Sequence, residues 1–236
     1  MIDIPIALHI PDGFLSAGVA AACGLAAIAA VGYGLRVANI ELDEARVPLL
    51  GVLAAFIFAA QMLNFPIAGG TSGHFLGATL AAVLLGPWLA CLVMAVVLVV
   101  QAFAFADGGI SALGANVLNM GVLGALVAGY LVVAAMKVLP HTRAAFLAVV
   151  GVASWLAVMT GAAATSVELA ISNTVPLGTS LPAMLGVHSL IGTGEAVITV
   201  AAVSAVLASR PDLVALAPRE LATPVIPAAR PAEGVI

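Results

Sequence analysis

The sequence predicts an all-α, polytopic membrane protein with about seven transmembrane helices. Of its 236 residues, 64% are hydrophobic and only 8% are charged, whereas soluble domains carry about 25% charged residues. A bilayer offers no partners to backbone amides, so such an apolar chain must span it as helices or as a closed barrel. The long Ala, Leu and Val runs lack the alternation of barrel strands, which leaves helices. No length remains for a soluble catalytic domain.

Seven apolar stretches supply the spans, since a full crossing takes about 20 residues. Gly86 and Pro87 end the short third stretch, and Asp107-Gly108-Gly109 turns the chain after the fourth. We expect a transmembrane domain over residues 15–209, an N-terminal extension and loop over 1–14, and a disordered, Pro- and Ala-rich cytoplasmic tail over 210–236. The predicted spans cover about residues 15–37, 47–63, 75–85, 88–105, 117–139, 144–171 and 183–208.

Small residues recur every fourth position along the first span. Such a stripe lets another helix approach closely, whether inside the protein or in a partner subunit. The sequence leaves both alternatives open, and internal packing is the simpler one. The residues concerned are Ala22, Ala26, Ala30 and Gly34.

A glycine-rich turn follows Asn64 and ends at His74. Glycine permits close backbone approach, and non-helical chain at membrane depth is tolerated only where protein or a cavity covers it. We therefore expect Gly69, Gly70 and Gly73 to let this turn lie close to another part of the protein.

The basic residues fix an orientation. With seven spans, all seven Lys and Arg residues fall on the side of the C-terminal tail, which the positive-inside rule assigns to the cytoplasm. The N-terminus is then outside, together with His9, Asp12, His74, Asp107 and the loop before His188. His141 lies in the basic loop on the other face.

Imidazoles gathered at one face suggest a site for a transition metal, since imidazole suits nickel, cobalt, copper and zinc. The alternative is that each histidine is an isolated hydrogen-bonded residue. Evidence for an enzyme is weak: the only lysine, Lys137, follows no Walker pattern, so no ATP site is expected in this chain. Glu195 deep in the last span is either a proton-relay carboxylate or a structural hydrogen-bond acceptor. No nucleic-acid partner is expected.

Four segments closely resemble the CbiM/NikM family, the substrate-binding membrane (S) components of nickel and cobalt energy-coupling-factor (ECF) transporters. The resemblance covers about residues 8–213. It implies an ECF S-component fold that works with a transmembrane coupling (T) component, two ATPase subunits and a separate small accessory membrane subunit. The segments are His9-Ile10-Pro11-Asp12-Gly13-Phe14-Leu15, Pro48 to Gly77, Phe105-Ala106-Asp107-Gly108-Gly109 and Gly186-Val187-His188 to Glu195.

The resemblance also implies a ligand set. In the family the chain begins Met-His, and the metal is held by the terminal amine, by the backbone nitrogen and imidazole of that histidine, and by the imidazole of a Ser-Gly-His motif. Carried over, the imidazoles are His9 and His74. Here Leu8 precedes His9, so the pattern predicts a chain that starts at position 8 or is cut after Ala7. A misassigned start is the simpler explanation. If the extension is retained, Asp12, His188 or water must replace the amine.

The sequence therefore predicts a membrane substrate-capture component of an ATP-driven importer for Ni(II) or Co(II), the latter pointing to cobalamin synthesis. Asp12 and Gly13 are expected to turn the N-terminal loop inward. Asn64 and Asn116 are expected to hydrogen-bond its backbone. The rival hypothesis is a subunit that carries a small organic solute without metal ligation. Further supporting residues are Leu8, Gly73, His188 and Glu195.

Overall fold

The computed structural model describes residues 9–42, 44, 46–63, 65–67 and 71–222. Helices dominate this part of the chain, and a two-stranded hairpin separates the second helix from the third. The strands β1 (Phe65–Ile67) and β2 (Thr71–Gly73) pair antiparallel. The helices are α1 (Ala17–Glu41), α2 (Val47–Gln61), α3 (Ala78–Leu85), α4 (Pro87–Phe105), α5 (Leu113–Asn116), a π-helix (Val117–Leu123), α6 (Gly124–Met136), α7 (Arg143–Ile171), α8 (Leu177–Ser209), a 3-10 helix (Pro211–Leu213) and α9 (Arg219–Ala222).

Five helical segments are long and apolar enough to cross a membrane: α1, α4, the continuous stretch Leu113–Met136, α7 and α8. Helix α2 has 15 residues and α3 has 8, which at about 1.5 Å per residue fall short of a hydrocarbon core about 30 Å thick. The all-α polytopic fold is thus confirmed. The count of seven spans remains a prediction.

Helix α3 lies at the centre of the molecule. All eight of its residues are at most 5% exposed, and α4, α6, α7 and α8 surround it. A helix that is apolar on every side is suited to such a position. The short third stretch of the sequence is therefore an internal core element, and the hairpin and His74 immediately precede it.

The predicted stripe of small residues on α1 packs inward in its second half. Gly34 is buried against Trp88 and Leu92 of α4, and Ala30 packs against the core. In the first half Ala22 and Ala26 are exposed, whereas Cys23 and Ala27 are buried. A Cβ on Gly114 would lie 2.4 Å from Gly24 Cα, which shows how closely α5 approaches α1. In the first half of α1 the packing face is therefore offset from the prediction by one residue, or about 100° around the helix, and α5 lies against the helix there.

The tail departs from the sequence prediction between Arg210 and Ala222. Val214 is 3% exposed, and the Leu216 amide donates to the Val83 carbonyl at 3.1 Å. The chain after α8 therefore folds back under the end of α3, because Leu213, Val214 and Leu216 supply the apolar side chains that a disordered segment lacks. Residues 223–236 lie outside the described part of the chain.

The last long helix also starts earlier than expected, at Leu177 rather than after Pro182. Pro182 sits in its second turn, where a missing amide and a clash with the preceding turn ordinarily disfavour helix. Membrane helices tolerate proline because neighbouring groups satisfy the freed backbone.

The bundle has two chemically different ends. At one end, the Ser16 amide donates to Ser172 Oγ at 3.0 Å, which joins the start of α1 to the end of α7. At the other end, Arg143 donates to the Ser204 carbonyl at 2.9 Å, and His141 Nδ1 lies 3.1 Å from Glu220 Oε2. Hydrogen bonds to the Met136 carbonyl and to Glu220 raise the pKa of His141. The same bonds hold this histidine at the basic end of the bundle.

Candidate metal-binding site

Two imidazoles face each other at the end of the bundle where α1 starts. His9 belongs to the loop that precedes α1, and His74 directly follows β2. Their ring centroids are 4.8 Å apart and the rings are inclined by 66°. The fold thus brings together the two histidines that the sequence predicts as ligands, although 64 residues separate them in the chain.

The His9 ring is buried and unpaired. It is 7% exposed, and neither Nδ1 nor Nε2 has a hydrogen-bond partner. Asp107 Oδ1 lies 3.7 Å from Nδ1, beyond the length of an N–H···O hydrogen bond. Because a buried polar group left unsatisfied costs about 1–3 kcal/mol, a ring held in this way indicates a binding position.

Both imidazoles are neutral at neutral pH. Burial, reinforced by the neighbouring His74, lowers the pKa of His9 to about 3, and burial lowers the pKa of His74 as well. His74 Nδ1 lies 3.0 Å from the Phe75 carbonyl oxygen, to which only a protonated Nδ1 can donate, so Nε2 carries the lone pair. Neutral imidazole is the form that binds a metal.

Asn116 fixes the loop that carries His9. Its Oδ1 accepts from the Ile10 amide at 2.8 Å, and its Nδ2 donates to the Ile10 carbonyl at 3.1 Å. The Gly109 amide donates to the same carbonyl at 2.9 Å. The predicted contact between Asn116 and the loop backbone is therefore present, while its role in metal binding remains a prediction.

Asp12 anchors the loop rather than reaching the imidazoles. Its Oδ1 accepts from Ser111 Oγ at 2.6 Å and from the Ser111 amide at 2.7 Å, and these bonds lower the pKa of Asp12. Gly13 follows with a φ of +83°, a conformation that favours glycine. Together these residues turn the chain from the loop into α1.

A second polar network holds the segment after His74. Glu195 Oε2 accepts from the Leu76 amide at 2.7 Å, and Oε1 accepts from the Gly77 amide at 2.9 Å. Gln61 Nε2 donates to the Leu76 carbonyl at 2.6 Å. Glu195 thus acts here as an acceptor for backbone amides, which is the structural alternative that the sequence left open.

The remaining predicted site residues make no hydrogen bond to the pair, although His188 is near enough to His74 to interact with it electrostatically. His188 Nδ1 is 2.8 Å from the Met184 carbonyl of its own helix, and Gly73 pairs with Phe65 in the hairpin. Leu8, Asn64, Gly69 and Gly70 lie outside the described residues. Across the ranges that the structure describes, no three His, Cys, Asp or Glu side chains are close enough together to hold a metal ion.

Sequence reasoning placed Asp107 on the same face as the histidines without giving it a role in the site, and it missed Ser111, Gln61 and Gln101 as residues that shape the site. Gln101 Nε2 donates to Gln61 Oε1 at 2.7 Å. The two glutamines carried a usable signal, because a polar side chain inside an apolar span needs a partner. The pairing of Asp12 with Ser111 carried none, since it depends on how distant loops meet.

Comparison with solved structures places this fold among membrane metal transporters. A crystal structure described as a truncated transition metal transporter matches with a TM-score of 0.76 and 33% sequence identity, over 85% of this chain and 98% of that one. The agreement extends to nearly the whole of the solved chain. A helical membrane protein of the transition-metal transport class, and not an enzyme, is therefore the class that these observations define.

The family follows from the sequence. The family model described as the cobalt uptake substrate-specific transmembrane region, CbiM, matches residues 9–213, and the chain belongs to this family. A relative from Archaeoglobus fulgidus named for nickel transport as a fused NikMN protein is 43% identical over 94% of this chain and 73% of its own. A relative from Methanococcus voltae named for cobalt transport, CbiM, is 35% identical over 70% of this chain and 75% of its own.

Proposed function

We propose that this protein is the substrate-binding S component of an ATP-driven ECF importer and that it captures Ni(II) or Co(II) at the outer face through His9 and His74. The observation that carries the proposal is the buried His9 imidazole, unpaired at both nitrogens and facing a second neutral imidazole. Neutral nitrogen ligands suit nickel and cobalt.

Two imidazoles alone do not complete a coordination sphere, and the described residues offer no third ligating side chain nearby. The backbone nitrogen of His9 is adjacent to its own imidazole and would supply a third nitrogen once its proton has been released to water. The amine of residue 8 would be the fourth, as the family pattern implies, in a chain that begins there. Such a set closes two fused chelate rings on one side of the ion and leaves His74 to bind from the other.

The outward direction of the site is supported by charge. The described Lys and Arg residues belong to the end of the bundle that lies away from the imidazoles. The positive-inside rule assigns such an end to the cytoplasm. The T component and the ATPase subunits would dock from that side, and ATP would be hydrolysed by them because this chain has no Walker pattern. A small accessory membrane subunit would complete the complex.

The test is metal binding by the purified chain in two forms, one starting at residue 1 and one starting with Met at position 8. Stripped protein is titrated with Ni(II) and with Co(II), and bound metal is counted by elemental analysis. We expect about one ion per chain for the form that begins Met-His, with a large loss of affinity in His9→Ala and His74→Ala. His141→Ala, at the basic end, is the matched control.

Other results would contradict the proposal. If neither form retains metal, or if His141→Ala weakens binding as much as His9→Ala, imidazole ligation at this site is wrong. Metal-independent binding of an organic solute would then favour the rival hypothesis. Competition between the two ions in one titration ranks nickel against cobalt.

A further inference from the structure

An open cleft of about 390 Å³ adjoins the His9 ring. It is formed where the N-terminal loop meets the turn that follows α4. Six waters occupy about 180 Å³ at roughly 30 Å³ each, so the cleft is large enough for a divalent ion with its water shell. The residues that line it include His9, Pro11, Asp12, Asp107, Gly108 and Gly109.

The charge of this cleft is negative. Asp12 and Asp107 both line it, and no basic side chain does so among the described residues. The two carboxylates differ in availability. Asp12 Oδ1 already accepts two hydrogen bonds from Ser111, whereas the Asp107 carboxylate is 35% exposed and accepts no hydrogen bond within the described chain.

The cleft also contains a buried polar group without a partner. His9 lines it while remaining 7% exposed, and both ring nitrogens are unpaired. Asp107 Oδ1 is 3.7 Å from His9 Nδ1, so an ion held at the carboxylate needs to move by only a few ångströms to reach the imidazole. The carboxylate is also the more exposed of the two groups and is met first from solvent.

We propose that this cleft is an outer capture site for a hydrated divalent metal ion, in which Asp107 binds the incoming ion before His9 Nδ1 takes it. The inference rests on the proposed function and adds a residue and a sequence of binding steps to it. The ion exchanges water for carboxylate oxygen and then for imidazole nitrogen, and the released water leaves through the open side. The oxidation state of the ion stays the same throughout.

In this arrangement the acidic cleft controls how fast the ion associates, and the nitrogen ligands control how tightly it is held. A negatively charged cleft raises association rates by about tenfold or more, and the effect weakens with ionic strength. The Debye length falls from about 30 Å at 0.01 M to about 8 Å at 0.15 M salt, so steering by Asp107 should be strongest in dilute buffer. Retention of the bound ion depends instead on the nitrogen ligands.

The experiment follows association and dissociation of Ni(II) with the form of the chain that begins Met-His. Stopped-flow mixing with a metallochromic indicator gives the association rate at low and at physiological salt, and a chase with excess chelator gives the dissociation rate. The variants are Asp107→Asn and Asp107→Ser, with Asp107→Glu as the conservative change. Glu41→Gln removes the same charge at the opposite end of α1 and is the matched control.

We expect Asp107→Asn and Asp107→Ser to bind about tenfold more slowly at low salt, with a smaller difference at physiological salt and an unchanged dissociation rate. Asp107→Glu and Glu41→Gln should resemble the parent. Parental association rates in both uncharged variants would overturn the inference, as would faster dissociation alone, which would make Asp107 a ligand of the bound ion. If the parent binds no Ni(II) at all, the proposed function itself fails.

Discussion

Asn116 recognises the N-terminal loop by its backbone. A carboxamide presents one acceptor and one donor in the same arrangement as a peptide group, and both are used on Ile10. This contact uses no side-chain atom of residue 10, and it fixes the main chain directly after His9. The main chain next to His9 is thereby held in a defined place, which under the proposed metal ligation would reduce the ordering that binding requires.

Gly109 leaves no room for a side chain beneath the loop. A Cβ there would lie 2.3 Å from the Asp12 amide nitrogen, and both are backbone-defined positions that cannot move independently. We expect Gly109→Ala to displace the loop and to weaken metal binding by tenfold or more, while the helical bundle stays folded. The measurement is a metal titration together with circular dichroism.

Gly18→Ala is the control for this change, because a Cβ at Gly18 meets nothing within 4 Å. An unchanged affinity in Gly109→Ala would show that the loop seats itself elsewhere when the ion binds.

Residue type predicted part of this site. Histidines are scarce in the chain, and a shared motif order singled out His9 and His74. Asn116 followed from its position before an apolar span. The role of Asp107 did not follow, since a carboxylate at the end of a helix is usually a solvated cap. The role of Asp107 depends on the N-terminal loop that lies beside it. The residues that meet there are about one hundred positions apart in the chain.

At the scale of elements, α3 is a short helix that cannot cap itself. Its N-cap residue is Gly77, which has no side chain to accept the free amides of the first turn. Glu195 of α8 accepts from the preceding Leu76 and Gly77 amides instead. A carboxylate at the start of a helix also suits the helix dipole. The start of the internal helix α3 is thus held by a side chain of the long helix α8, and His74 is two residues from this contact.

We expect Glu195→Gln to lower the free energy of unfolding by about 1.5–3 kcal/mol, because one charge-assisted hydrogen bond is lost and an amide donor then faces a backbone donor. Metal affinity should fall with it, since the segment after His74 loosens. Thermal unfolding in detergent and a metal titration measure the two effects.

Glu41→Gln serves again as the control. If Glu195→Gln loses metal binding without any loss of stability, Glu195 acts on the ion more directly than as a cap.

The positions of the long helices were mostly predictable from the sequence, whereas the residues at which they begin and end were not. Apolar runs located the long helices because membrane spans need continuous apolar sequence. Pro182 misplaced the start of α8, because proline ends helices in water more often than in a bundle that satisfies the freed groups. The segment from Arg210 to Ala222 was mistaken for disorder because its apolar residues are too few to show a period, yet they fit beneath α3.

At the scale of the whole molecule, the two ends differ in charge and in the groups that they present. The imidazoles and the acidic cleft occupy one end, whereas Arg143, His141 and the ordered part of the tail meet at the other. Such a separation fits the proposed function, in which a cation is received on one side of a membrane and partner subunits dock on the other.

This polarity predicts the topology in cells. A cysteine introduced for Thr179, an exposed residue near the start of α8, should react with a membrane-impermeant maleimide added to intact cells. A cysteine introduced for Val138, which is 83% exposed at the basic end, should react only after permeabilisation. The native Cys23 and Cys91 are buried and give little background. The reverse pattern of labelling would place the imidazoles inside.

The contacts between the N-terminal loop and residues 107–116 also determine when this loop can take its final position during biosynthesis. Ile10 meets Asn116, and Asp12 meets Ser111, so the N-terminal loop can take its final position only after partners that are synthesised and inserted later. Until the segment from Gly109 to Asn116 is in place, the loop that bears His9 lacks these hydrogen-bond partners. The arrangement of His9 against His74 therefore forms only after the chain has been inserted as far as Asn116.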